Sequence, residues 1–91
     1  MNPLLSLVVP VYNVAPFLER CLASLVAQDL DGLEIVLVDD GSTDDCPAIL
    51  ARYAARCPNM RVLRQDNGGL SAARNAGLEQ SRGTYVAFAD S

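Results

Sequence analysis

Four short motifs hold most of the chemistry-bearing residues of this 91-residue chain: Pro10-Val11-Tyr12-Asn13, Asp39-Asp40-Gly41-Ser42, Asn67-Gly68-Gly69-Leu70-Ser71 and Ala89-Asp90-Ser91. Tyr12 offers an aromatic face against which a base can stack, with a phenol to bond outward. Two adjacent carboxylates, Asp39 and Asp40, are costly to desolvate together. One of them fits a turn or a helix cap; the other is then free to accept a hydrogen bond from a ligand. A carboxylate selects partners that donate, such as the N3–H of uracil or thymine or the N1–H edge of guanine. If Asp40 reads a base, UDP, dTDP or GDP is expected rather than CMP or ADP. The Gly68-Gly69 pair marks a sharp turn or a close approach. A helix follows it, with Arg74 in its first turn, so its positive end suits a phosphate. Asp90 is a candidate ligand for a divalent cation if a second acidic residue follows it closely. Each motif taken alone also has a plain reading: a sheet-capping tyrosine, a helix-capping turn, a glycine loop, an exposed aspartate.

The elements that must position these residues alternate between strand and helix. The apolar run at 4–9, broken only by Ser6, reads as a strand buried on both faces, and 33–38 as a second buried strand with Ile35, Val36 and Val38 supplying β-branched character. Pro10 is expected to end the first. Pro16 fits the first turn of a helix whose apolar face is Phe17, Leu18, Cys21, Leu22, Leu25 and Val26. A second helix is expected after an N-cap at Ser42 or Thr43, with Asp44 and Asp45 near its positive end. Its face reads Ile49, Leu50, Tyr53, Ala54 and Cys57, and Pro58 stops it. A short strand at 60–63, a helix at about 70–81 and a strand at 85–89 complete a βαβαβαβ order. This is an α/β fold of three layers, a mainly parallel sheet with helices on both faces. In such a sheet the carboxyl ends of the strands form the ligand crevice. All four motifs fall there, and the opposite edge reads as bland.

Composition narrows the classes further. The net charge is −4, with no lysine and seven scattered arginines, which argues against a nucleic-acid backbone as partner. An acidic chain meeting a nucleotide diphosphate implies a bridging metal cation. Cys21, Cys46 and Cys57 are an odd set without CxxC spacing, so neither a zinc site nor a disulfide framework is indicated, and a reducing cytoplasm is the default compartment. No apolar run approaches the length of a membrane span, and the N-terminus lacks the charged start of a signal peptide. Neither GxGxxG nor GxxxxGK[ST] is present, so the dinucleotide fingerprint and the P-loop are both missing.

Taken jointly, V-V-P-V-Y-N, L-V-D-D-G-S-T-D, N-G-G-L-S-A-A-R-N-A-G-L and G-T-Y-V-A-F-A-D-S closely resemble the N-terminal part of family 2 glycosyltransferases of the GT-A fold. The resemblance covers essentially the whole chain. It implies strand order 3-2-1-4 and makes residues 1–91 the nucleotide-sugar-binding front portion of a larger domain. It also implies an enzyme that moves a sugar from a nucleotide-diphosphate sugar, with inversion, to a carbohydrate or lipid-linked acceptor in polysaccharide biosynthesis. Pro10, Val11 and Tyr12 are implied to surround the base, Asp40 with or without Asp39 to read it, and Gly69 and Leu70 to lie beside the nucleotide. Asp90 resembles the first aspartate of the D-x-D motif that meets the ribose and a Mg²⁺ or Mn²⁺ ion. Asp90-Ser91 lacks the motif's final aspartate, and the resemblance places the catalytic base and the acceptor site downstream, outside this chain. The competing readings are a sugar-1-phosphate nucleotidyltransferase, which would carry a glycine- and basic-rich loop after the first strand, and a non-catalytic nucleotide-binding module. An uncovered fourth strand further predicts self-association of the 91-residue piece.

Overall fold

The computed structural model describes residues 2–28 and 31–90. In chain order the elements are β1 (Leu5–Val11), α1 (Ala15–Gln28), β2 (Leu33–Asp39), α2 (Cys46–Arg56), β3 (Met60–Arg64), α3 (Leu70–Gln80) and β4 (Tyr85–Phe88). The strands form one parallel sheet in the order β3-β2-β1-β4. That is the order the family resemblance implied.

Alternation along the two central strands builds two cores. Val9, Val11, Ile35 and Leu37 face one side, where they pack with Leu18 and Leu22 of α1 and with Cys46 and Leu50 of α2. Val8, Val36 and Val38 face the other, under Ala73 of α3. Both faces of β1 and β2 are thus dry, which is why their sequences read as apolar runs interrupted only by Ser6 and Glu34 before the strand ends. Gly77 lets α3 sit directly on the sheet: a Cβ there would lie 2.3 Å from Val8 Cγ1.

Several local expectations need correction. Pro10 does not end β1; it pairs in register with Val38, and Val11 pairs with Asp39. Residues of a parallel strand point their backbone groups alternately to the two neighbours. Val8 O accepts from Ala89 of the β4 side and Val11 O accepts from Asp40 of the β2 side. The nitrogen of Pro10 therefore faces β4, beyond the last β1–β4 register pair, Val8–Phe88, where a strand tolerates proline. In α1, Phe17 is 68% exposed and Val26 is also exposed, because the helix turns Leu18 and Leu22, with Ala15 and Leu25 beside them, toward the core. Neither Ser42 nor Thr43 caps α2, which starts later, at Cys46. Asp44 Oδ1 accepts from Cys46 N at 3.0 Å instead. Ser42 and Thr43 are engaged elsewhere: Ser42 Oγ accepts from Asn13 N at 3.1 Å, and Thr43 N donates to Asn13 Oδ1 at 2.8 Å. These bonds tie the β2–α2 loop to the β1–α1 loop.

The amino edge of the sheet is not bland. Ser6 and Glu34 are register partners on β1 and β2, and both are buried. Ser6 Oγ donates to Glu34 Oε2 at 2.6 Å, and Arg61 Nε donates to Glu34 Oε1 at 2.9 Å. The pairing is invisible to a strand-by-strand reading because it is made between strands.

Candidate functional site

A cavity of about 590 Å³ opens on the carboxyl edge. The end of β1 supplies Pro10, Val11 and Tyr12 to its wall, and the start of α3 supplies Gly69 and Leu70. Asp40 and Asp90 complete the set of sequence-singled residues that line it; Asp39 and Arg74 do not. Tyr12 keeps about half its surface exposed there. The chain leaves β1 through Asn13, whose φ of 50° is a left-handed turn that asparagine tolerates better than most residues. Val14, Asn67 and Ala73 also line the cavity. Asn67 carried a signal by standing in the glycine motif. Val14 and Ala73 carried none, since an apolar residue beside a cleft looks like any core residue.

The two adjacent carboxylates have separate duties. Asp39 is 1% exposed; its Oδ1 accepts from Ser42 N at 2.9 Å and its Oδ2 pairs with Arg64. It is the turn-capping member. Asp40 is not free, as the sequence reading had the second carboxylate. Oδ1 accepts from Gln65 Nε2 at 2.7 Å and Gly68 N at 2.9 Å, and Oδ2 from Gly69 N at 3.0 Å and Asn67 Nδ2 at 3.3 Å. Asp40 thereby clamps the glycine loop against the β2–α2 turn. Gly41 (φ +77°) makes that clamp possible, since a Cβ there would stand 2.7 Å from Asn67 N. Gly69 adopts φ +92° and ψ 172° to lead into α3, a region essentially restricted to glycine. Burial pushes the Asp40 carboxyl up, but the bonds from Gln65, Gly68 and Gly69 outweigh it and hold the group below its ordinary value. Every one of these donors is neutral, so the ionised carboxylate keeps its full charge at the cavity wall.

Arg74 and Asp90 meet at the rim. Their closest charged atoms are 3.7 Å apart, with the Asp90 side chain 85% exposed. The Arg74 guanidinium also lies over the Phe88 ring, 6.0 Å from its centroid, and its Nε is buried without a hydrogen-bond partner. Among the described residues no group of three or more His, Cys, Asp or Glu side chains is placed to hold a metal. One exposed carboxylate beside a cavity fits a Mg²⁺ or Mn²⁺ ion carried mainly by a ligand's phosphates and touched by Asp90, not one caged by protein.

The family model for glycosyl transferase family 2 matches residues 6–91. The chain belongs to that family. An uncharacterized glycosyltransferase, EpsJ, of Bacillus subtilis strain 168 is 51% identical over 90 residues, 99% of this chain and 26% of the relative. The chain therefore spans about a quarter of that relative's length. Among solved structures, S. aureus TarS 1-349 in complex with UDP superposes with a TM-score of 0.88 at 35% identity, covering 97% of this chain and 27% of that one. A mannosyltransferase from Pyrobaculum calidifontis, PcManGT, in complex with GDP-Man and Mn²⁺ gives a TM-score of 0.88 at 32% identity, covering 99% and 28%. As a family 2 member the chain has the GT-A fold, and its β3-β2-β1-β4 sheet is the part of that fold described above.

Proposed function

We propose that the cavity on the carboxyl edge holds the nucleotide of a UDP-sugar, and that residues 1–91 are the donor-binding part of a longer inverting glycosyltransferase. The observation that carries this reading is Asp40: a buried carboxylate at the cavity wall whose partners are all uncharged. Its longest contact, with Asn67 Nδ2, is the one that gives way, because that amide already donates to Asp40 O at 3.0 Å. The N3–H of uracil then takes its place, while the ring lies against Tyr12. Pro10 and Val11 shape the base pocket, and Gly69 and Leu70 bring the start of α3 up to the diphosphate. Arg74 swings from Asp90 to the phosphates, where its orphaned Nε finds an acceptor. Asp90 would supply a ligand to Mg²⁺ or Mn²⁺, whose chemistry there would be to neutralise charge on the leaving diphosphate.

The acceptor is a carbohydrate or lipid-linked hydroxyl, activated by a base outside the described residues and attacking the anomeric carbon from the face opposite the diphosphate. The solved relatives named with UDP and GDP-Man support a nucleotide-sugar donor, and both nucleotides carry the ring N–H that a carboxylate selects. The nucleotidyltransferase alternative is set aside because Pro10-Val11-Tyr12-Asn13 stands where such an enzyme carries a glycine- and basic-rich loop. No helix of the described residues is long and apolar enough to cross a membrane. The three cysteines are free thiols, which suits a reducing cytoplasm. The outer edge of β4 has no strand partner among the described residues, and that edge supports self-association.

Calorimetry with UDP and CDP tests the reading. UDP should bind and CDP should bind at least tenfold more weakly. Asp40→Asn should cost UDP roughly 1.5–3 kcal/mol, the worth of a hydrogen bond to a charged group, while Asp39→Asn lowers stability and spares affinity. Equal affinities for UDP and CDP, or an Asp40→Asn variant with unchanged affinity, reassign Asp40 to loop clamping alone.

A further inference from the structure

We propose that Glu34, on the sheet edge away from the cavity, is a positioning residue that sets the register of β4 and so fixes where Asp90 stands at the cleft. β4 has little of its own to hold it. It is four residues long, and none of its side chains is fully buried. Among the described residues four register pairs, Leu5–Tyr85 to Val8–Phe88, join it to β1. A slip of one residue along such a ladder turns every side chain to the other face, and Asp90 follows two residues after the strand ends.

The missing constraint is supplied at the other end of β4. Glu34 Oε2 accepts from Arg82 N at 3.0 Å as well as from Ser6 Oγ, and Gly83 N donates to that same Ser6 Oγ at 2.8 Å. Arg61, paired to Glu34 Oε1, also donates to Gln80 O, the last carbonyl of α3. The turn from α3 into β4 is therefore pinned at residues 80, 82 and 83 by one carboxylate and the two groups it orients. Gly83 leaves no slack, since a Cβ there would lie 2.6 Å from Ser6 N and 2.7 Å from Ser6 Oγ. From this clasp the strand runs out to Asp90, about 3.3 Å per residue. A carboxylate on one edge of the sheet thus determines the height of another on the opposite edge. Nothing in this inference depends on what the cavity binds.

The test is amide hydrogen exchange and ¹H–¹⁵N spectra of the 91-residue chain with Glu34→Gln, which keeps the shape and removes the charge. Tyr85 N and Ala89 N, which donate to Leu4 O and Val8 O, should exchange at least tenfold faster. Ile35 N and Asp40 N, bonded to Asn59 O and Val11 O, should accelerate at least threefold less than the β4 amides, and the Asp90 amide resonance should move. Uniform loss of protection across the sheet would make Glu34 a general stabiliser and overturn the proposal. So would unchanged β4 exchange. If Glu34→Gln does not fold, Ser6→Ala decides. It removes the Ser6 bonds and keeps the Glu34–Arg61 pair, so β4 exchange should rise at least threefold with the rest of the sheet unmoved. Any other pattern refutes the assignment.

Discussion

Asp40 and Glu34 stand at opposite edges of one sheet, and each gathers a neighbouring turn by accepting hydrogen bonds from its backbone. Asp40 holds the glycine loop through Gly68 N and Gly69 N, and Glu34 holds the α3–β4 turn through Arg82 N. They differ in what balances the charge. Cavities of about 590 and 560 Å³ adjoin Asp40 and Glu34 respectively, but Glu34 is paired with Arg61, whereas no ion pair reaches Asp40 among the described residues. A buried carboxylate neutralised inside the chain is committed to structure. One satisfied only by dipoles still has an unbalanced charge to offer a donor group.

The largest effect that would sharpen this contrast is Glu34→Ala. It strands the Arg61 guanidinium and should cost about 3 kcal/mol in urea unfolding, the low end for a broken buried pair because Arg61 retains some contact with water. A loss no greater than that of an exposed pair would place Glu34 with the surface charges.

Gly41→Ala and Gly69→Ala come next and probe the cleft edge. Both force a side chain into left-handed backbone, costing about 1–3 kcal/mol. Gly41→Ala should cost more, since its Cβ meets Asn67 N, while nothing lies within 4 Å of a Cβ at Gly69. Equal losses would mean that the glycine loop is not packed on the β2–α2 turn.

Acid titration compares the two carboxylates directly. Burial raises both, but Asp40 is held below its ordinary value by Gln65, Gly68 and Gly69, and Glu34 by Ser6, Arg82 N and Arg61. A lowered folded pKa means that the unfolded chain binds more protons. The stability each lends is therefore present above the ordinary carboxylate range and lost as pH falls through the folded value. Denaturation midpoints should fall with acidification below that range, and Asp40→Asn and Glu34→Gln should each flatten the slope. A variant with an unaltered slope would show that its carboxylate is unperturbed by folding. Smallest of all, Asp90→Asn should change stability by less than about 1 kcal/mol, because its pair with Arg74 is exposed and long. A larger loss would move Asp90 from the cleft rim into the clasp's structural work.

The order of elements was legible in the sequence because each depends on local pattern: largely apolar runs for β1 and β2, helical spacing for α1 and α2, a glycine pair before α3. The placement of Tyr12, Asp40, Gly69 and Asp90 at one cavity was equally legible, since strand ends in a parallel sheet share an edge. Relations made by register were not. Ser6 faces Glu34, and Asp39 faces Arg64, only because β1, β2 and β3 pair as they do. Those pairings decide which of two adjacent aspartates is spent on structure. The same blindness put the α2 cap at Ser42, whose hydroxyl serves Asn13 of a different loop.

Pro10 has a consequence for the shape of the opening itself. Two parallel strands lying side by side tend to go on zipping until their backbones diverge, and each further rung between β1 and β4 would fill the gap with peptide. The bond from Ala89 N to Val8 O is one such rung. The next residue of β1 that faces β4 is a proline, which has no N–H to offer. One backbone donor is thus withheld at the mouth of the fork, by a residue that itself forms part of the cavity wall.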